Sequence, residues 1–284
     1  MALKLDHPDV FLALSQAVPK TTVKTLGFVY DVAFEKFPKS YRDAKTLSQN
    51  TADLVAASTA VIATSAAGKM DISTSYPDAS GKITVIYPGV SFEFTPEGPK
   101  YVGAVPYFLY VGHLKPLKNI PRIIEAFAKL LSSYPQKYTL VLIGSIVDID
   151  PEIHKTIAKL KLSKQVDIKG ILPDAELPKY YRGALGFVSP ALYEGFGLPI
   201  LEAMACGCPV IAGNNSSMIE TVGKSGLLAD AQDSTQIYQA MYQLATDPTV
   251  RRKYSKLGIK QAKLFSTQSF AKKTLQLIYE ICKK

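Results

Sequence analysis

Short apolar runs alternate with amphipathic stretches along most of the chain. The runs KTLGFVYDV, AVIAT, KITVIYP, YFLYVG, TLVLIG, VDIKGIL, GFVSP and PVIAG are brief, β-branched or aromatic, and bounded by Gly, Pro or Asp. That pattern predicts buried strands. Helical periodicity lies between them. It is clearest in NIPRIIEAFAKLLSSYP, where Ile123, Phe127, Leu130 and Leu131 share a face and Asn119 and Pro121 mark the start. Strands alternating with helices predict an α/β fold of parallel sheets covered on both faces. The tract SFEFTPEGPKYVGAVP (91–106) breaks the rhythm with three prolines and two glycines. It is expected to link two domains, 1–98 and 99–266. The second domain, from Tyr107 to about Phe265, shows five predicted strands and looks complete. The first shows about three, where a doubly wound nucleotide-type domain usually has about six.

Composition narrows the setting. The chain has 284 residues, 47% hydrophobic and 20% charged, as in ordinary globular domains. The opening MALKLDHPDVF carries acids and a proline where a leader would be apolar. No apolar run reaches the roughly 18 residues of a membrane span. Of the three cysteines, Cys206 and Cys208 are separated only by Gly207, and Cys282 stands apart. That is no disulfide framework and too few ligands for zinc. CGC reads instead as a small, tight helix end, and a reducing, cytoplasmic setting is expected.

The net charge of +9 is unevenly placed. Residues 251–284 hold ten Lys or Arg against one acid, Glu280, so this stretch alone accounts for it. A basic tail on a neutral body differs from a uniformly basic nucleic-acid binder, and no nucleic-acid-reading motif is present. Arg252, Lys256, Lys260 and Lys263 share one helical face, with Val250, Tyr254 and Leu257 turned the other way. Two readings stand for that face: contact with an anionic membrane surface, or ordinary solvated charge.

Candidate chemistry concentrates in PALYEGFGLPILEAMACGCPVIA, Pro190 to Ala212, which holds Glu194 and Glu202. GFVSP reads as a strand and PILEAMACG as a helix, with Pro199 in its first turn and Gly207 just past its end. The intervening loop therefore lies at the carboxyl edge of a parallel sheet, where ligands bind in this architecture. Free amides at the helix start favour an anion. Gly195 and Gly197 let the backbone approach a ligand. Glu202 leans back toward the same crevice. Both carboxylates are expected to face one ligand bearing hydroxyls and phosphates. Alternatively, Glu194 is solvated and Glu202 complements the helix dipole.

EGFGLPILEAMACGCPVIA resembles the nucleotide-sugar signature of the retaining GT-B glycosyltransferases of family four. YVGHLKPLKNI (110–120) resembles that family's strand and loop that meet the donor diphosphate. VYDVAFEKFP (29–38) resembles its acceptor-domain segment, where members usually read His-Asp. The nearest members are bacterial transferases that build surface polysaccharides, often mannosyltransferases. The resemblance implies two Rossmann-like doubly wound domains, the first one truncated here, with 267–284 as a helix crossing back to it.

The implied activity moves a sugar from a nucleoside diphosphate, GDP- or UDP-linked, to a hydroxyl of a saccharide or lipid-linked acceptor. Anomeric configuration is retained and no metal or other cofactor is needed. Glu202 would bind the ribose hydroxyls. Gly195, Phe196, Gly197 and Leu198 would meet sugar and phosphate through their backbone, with Gly112 and Gly144 beside them. The base would rest near Ile171 and Leu172, which otherwise read as core residues. Lys118, Glu194, His113 and Asp31 form the implied catalytic set. Lys118 pairs with the diphosphate, unless it is only a solvated loop lysine.

Three departures from the family stand out. His113 replaces the usual Arg, Tyr30 the usual His, and the family's first βα units have no counterpart. They raise the alternative of a non-catalytic nucleotide-sugar-binding subunit, and the expectation that a second chain or self-association completes the acceptor side. The implied location is cytoplasmic, peripheral to the inner face of the membrane.

Overall fold

Two all-parallel sheets organise the chain, each in its own unit of a computed structural model that describes residues 8–15 and 21–283. The first unit contains the described residues up to Gly89, the short segment Glu194–Phe196, and those from Ser266 onward. Its strands are β1 (Val10–Ala13), β2 (Lys24–Val29), β3 (Ala60–Ala63) and β4 (Ile83–Val85), side by side in that order. Leu26 pairs with Ala60, and Val61 with Ile83. The helices are α1 (Ala33–Lys36), α2 (Ala44–Ala57) and α3 (Ala66–Ser75). Alternate strand residues feed two cores. Val29, Val61 and Ala63 pack with Leu54, Val55 and Ile72 on one face, while Leu26, Phe28, Ala60 and Ile62 pack on the other. Burial on both faces is why β2 and β3 read as largely apolar runs.

The second unit runs from Val90 to Tyr193 and from Gly197 to Phe265. It carries β5 (Tyr107–Val111), α4 (Ile120–Ser133), β6 (Thr139–Ile143), α5 (Pro151–Lys159), β7 (Val166–Gly170), α6 (Leu177–Gly183) and β8 (Gly186–Ser189). Then follow α7 (Leu198–Ala205), β9 (Val210–Gly213), α8 (Met218–Val222), β10 (Leu227–Ala229), α9 (Ser234–Thr246) and α10 (Pro248–Ala262). The order β7-β6-β5-β8-β9-β10 reverses between β5 and β8, the topological switch point of a doubly wound sheet. On α4, Ile120, Ile123, Ile124, Phe127 and Leu130 are buried against Phe108, Tyr110, Leu140 and Leu142.

The last helix, α11 (Thr267–Lys283), belongs to the first unit. Its Ile281 is buried in the core with Leu26, Phe28 and Ile62, and Phe270, Leu277 and Ile278 pack against the same cluster. The basic stretch is therefore split: α10 belongs to one unit and α11 to the other.

The structure corrects three expectations. The second sheet has six strands rather than five: β10, three residues at the sheet edge with Leu228 38% exposed, is the added one. The first has four rather than three. Val10–Ala13 is a short strand whose Leu12 is 40% exposed, so its run has no strong period. The tract 91–106 falls wholly in the second unit and is held there. Arg182 donates to the carbonyls of Glu97 at 2.7 Å, Pro99 at 2.9 Å and Thr95 at 3.1 Å, and Tyr101 stacks on Tyr180 at 4.2 Å. A chain without its own ladder still satisfies its carbonyls, here on one guanidinium. Residues 1–7, used in the leader reading, and Lys284 of the tail lie outside the described residues. Among the described residues, no helix is long and apolar enough to cross a membrane.

Candidate functional site

Parallel strands deliver every following loop to the same edge. In the second unit Gly112 follows β5, Gly144 follows β6, Ile171 and Leu172 follow β7, and Gly197 and Leu198 open α7 after β8. The three loops beyond β5, β6 and β7 remain stitched together. Gly112 N–H donates to Ile143 O, and Gly144 N–H to Gly170 O, both at 2.9 Å. Gly112 sits at φ +147°, and a Cβ on Gly144 would lie 1.9 Å from the Gly112 carbonyl. Only glycine at 144 allows that approach. The predicted strand VDIKGIL stops at Gly170, and Ile171 is 74% exposed, so it is not a core residue. Leu172 is half-buried.

The loop after β5 is clamped to its neighbours across the switch point. Leu117 is buried in the turn Pro116–Lys118, and its carbonyl accepts from Leu192 N–H at 2.8 Å. Asn119 adopts the left-handed conformation, φ 61°, and its side-chain amide donates to Pro190 O at 3.0 Å and Ala231 O at 2.6 Å. Lys118 is thus held between a buried Leu and a buried Asn. The buried Tyr110 hydroxyl donates to His113 O at 2.8 Å, fixing the backbone while the His113 side chain is exposed.

Glu202 lies in α7, which opens at Gly197 in the left-handed region with Pro199 in its first turn. The helix ends at Cys206, where Gly207 N–H donates to Met204 O and Cys208 N–H to Ala203 O. This is a Schellman closure with glycine at its left-handed position. CGC is thus a helix terminus with both thiols buried, and burial pushes Cys206 up to about 12. The Glu202 side chain is half-buried. Burial raises its pKa, the Tyr181 hydroxyl bonded to Oε2 at 2.8 Å lowers it, and Asp174 raises it; the net direction is upward. Tyr181 lies on α6, twenty-one residues upstream, and no sequence spacing pointed to it.

The remaining candidates group in the first unit. Asp31 Oδ1 accepts from Ala33 N–H at 2.9 Å and starts α1. Gly195 packs so closely that an added Cβ would lie 2.4 Å from Tyr30 O and 2.8 Å from Asp31 Cβ. The Gly195 carbonyl accepts from Ser65 Oγ at 2.8 Å and Thr64 Oγ1 at 3.3 Å. Ser65 Oγ also caps α3 by accepting from Gly68 N–H. Phe196 is buried and packs on Tyr87 at 6.0 Å. The Tyr41 phenol, absent from the sequence reading, is pushed up to about 12 by burial and by the Asp31 and Glu194 carboxylates. Glu194 therefore keeps company with Asp31 and Tyr41, while Glu202 belongs to the other unit.

Residues 93–261 match the family described as glycosyl transferases group 1. Over 169 residues the chain is 37% identical to O-antigen chain mannosyltransferase B of Escherichia coli, a match covering 60% of this chain and 44% of that protein. The chain spans about half the length of the curated relatives it matches, 44% of that mannosyltransferase and 53% of a D-inositol 3-phosphate glycosyltransferase of Corynebacterium urealyticum. Its fold resembles sucrose-phosphate synthase of Thermosynechococcus elongatus, with TM-score 0.78 and 25% identity over 92% of this chain and 69% of that one. It also resembles Anabaena HepE, solved in complex with UDP and glucose, with TM-score 0.79 and 20% identity over 98% and 80% of the two chains. The architecture is of the GT-B type, and the chain belongs to the glycosyl transferases group 1 family.

Proposed function

We propose that this chain carries the donor site of a retaining glycosyltransferase, which moves a sugar from a nucleoside diphosphate to a hydroxyl acceptor. The observation that carries the reading is the carboxyl edge of the second sheet. There Glu202 on α7, the helix after β8, and Lys118 in the clamped loop after β5 belong to the two connections on either side of the switch point. Glu202 accepts from the ribose hydroxyls. Lys118 offsets the charge that grows on the diphosphate as the anomeric bond breaks, a preorganised interaction worth roughly 3–4 kcal/mol for one donor. The base lies over the exposed loop at Ile171 and Leu172. Gly112, Gly144, Gly197 and Leu198 meet phosphate and sugar through their backbone, and no metal is required. In the first unit, Asp31 and Glu194 serve the acceptor and sugar side; in the second, His113 joins Lys118 in the loop after β5.

The family match and the UDP and glucose bound in the Anabaena relative support a nucleotide-sugar donor. The O-antigen relative supports a saccharide or lipid-linked acceptor in polysaccharide synthesis. Work at the cytoplasmic membrane face is part of this reading. It is supported by the exposed Arg252, Lys256, Lys260 and Lys263 along and just after α10. A cavity of about 270 Å³ beside them is lined by Arg251, Arg252, Ser255 and Lys256.

The test is a thermal-shift screen of UDP-, GDP- and ADP-sugars, followed by NMR of the transfer product. A ligand at 100 times its Kd should stabilise by about 2.7 kcal/mol. Absence of binding by every nucleoside diphosphate at millimolar concentration would refute the donor site. An inverted product would refute retention.

A further inference from the structure

We propose that Tyr181 is a positioning residue for the donor nucleotide: its phenol holds the Glu202 carboxylate in one orientation and thereby sets the preference for ribose over 2′-deoxyribose. The inference rests on the reading of Glu202 as the ribose-binding carboxylate. A glutamate's terminal torsion is broad and roughly two-fold, so an unrestrained carboxylate samples many orientations. Here one oxygen, Oε2, accepts from the Tyr181 hydroxyl at 2.8 Å. Tyr181 is itself fully buried. Its ring is held edge-on by Phe187 at 5.6 Å and by Phe94 at 5.9 Å, with interplanar angles of 64° and 67°. The phenol therefore cannot swing away without repacking two aromatic rings.

Burial and the Glu202 carboxylate keep the phenol well above its ordinary pKa, so it remains a donor throughout the working range. A carboxylate oxygen can accept more than one hydrogen bond. Oε2 thus keeps acceptor capacity while bonded to Tyr181, and Oε1 is oriented with it. Two oxygens at fixed positions suit a vicinal diol. A sugar with only one of the two hydroxyls would leave one carboxylate oxygen unpaired beneath the bound nucleotide, which is a strong basis for discrimination. Without the phenol, the carboxylate must be ordered by the nucleotide itself, at a cost in affinity.

The experiment measures Kd for UDP, GDP, dUDP and dGDP by calorimetry on the whole chain, for wild type, Tyr181→Phe, Glu202→Gln and the double variant. Tyr181→Phe should weaken the preferred ribonucleotide about tenfold, the effect of losing one hydrogen bond to a charged group. It should weaken the 2′-deoxy analogue much less, so that the ribo/deoxy ratio falls. A packing role alone would weaken both equally. In the double variant, the effect of Tyr181→Phe should largely vanish.

An unchanged ribo/deoxy ratio in Tyr181→Phe, or strict additivity with Glu202→Gln, overturns the proposal. If Glu202→Gln itself leaves both affinity and ratio at wild-type values, the reading of Glu202 has failed instead. Fitted stoichiometry separates a loss of folded protein from a change in Kd. If Tyr181→Phe is poorly folded, Tyr181→Met also removes the donor and fills the space with a flexible apolar side chain. Retention of the full ribo/deoxy ratio in that variant also overturns the proposal.

Discussion

Asn119 donates its side-chain amide to the carbonyl of Pro190 at 3.0 Å, tying the loop after β5 to the loop after β8. A second bond, to Ala231 O, brings in the loop after β10. Both carbonyls lose their partner in Asn119→Ala, and alanine disfavours φ 61°. The variant should lose roughly 2–4 kcal/mol. Asn119→Gly tolerates the conformation but still forfeits both bonds, so it should fall between. Urea unfolding with an unchanged slope is the measurement. Stability of Asn119→Ala within about 0.5 kcal/mol of wild type, the range of a neutral surface change, would show that the clamp is incidental.

Lys118→Ala should reduce transfer by about 10²–10³-fold, as expected for loss of one preorganised donor. His113→Ala should cost less in both rate and nucleoside diphosphate affinity, because a neutral imidazole contributes less charge than an ammonium. Steady-state kinetics with the donor found by screening, and calorimetry with UDP and GDP, test the order. A larger effect at His113 would reassign the diphosphate contact.

Glu202 should oppose stability while serving binding. Its folded pKa lies above the ordinary 4.5, chiefly through burial. The folded state therefore binds the proton more tightly than the unfolded chain does. The destabilising contribution is absent well below 4.5, develops as pH rises toward the folded value, and is constant above it. Near neutral pH, Glu202→Gln should melt above wild type, and the gap should close as the pH is lowered through that window. Calorimetric melts along a pH series provide the check. Equal melting temperatures at every pH would contradict the assignment of a destabilising buried charge.

Reversing Lys256, Lys260 and Lys263 to Glu should abolish sedimentation with vesicles containing anionic lipid while leaving nucleotide binding intact. Each basic residue near such a surface contributes about 1 kcal/mol. Wild-type binding should therefore fade as salt screens the charges. Equal partition of the wild type onto neutral and anionic vesicles, or onto neither, would leave these lysines as solvated charge only.

Periodicity was enough to determine the α/β class, eight of the ten strands and the helix α4, because most of these strands are buried on both faces and so are apolar at nearly every position. The signature Glu194 to Ala212 likewise located a strand-to-helix crossing and its glycine-terminated helix, since left-handed closures and first-turn prolines are local requirements of the backbone. Strands β1 and β10 escaped because both are short edge strands with an exposed leucine, Leu12 or Leu228, and their partners supply what the run itself lacks. The tract 91–106 looked like a linker for the same reason: what holds it is Arg182, far along the chain. Only tertiary structure decided the surroundings of the two signature glutamates, Glu194 sharing a unit with Asp31 and Tyr41 and Glu202 meeting Tyr181 in the other. Side chains that converge through packing carry no fixed spacing in sequence, so the environment that tunes Glu202 exists only once α6 and α7 have been brought together around a shared core.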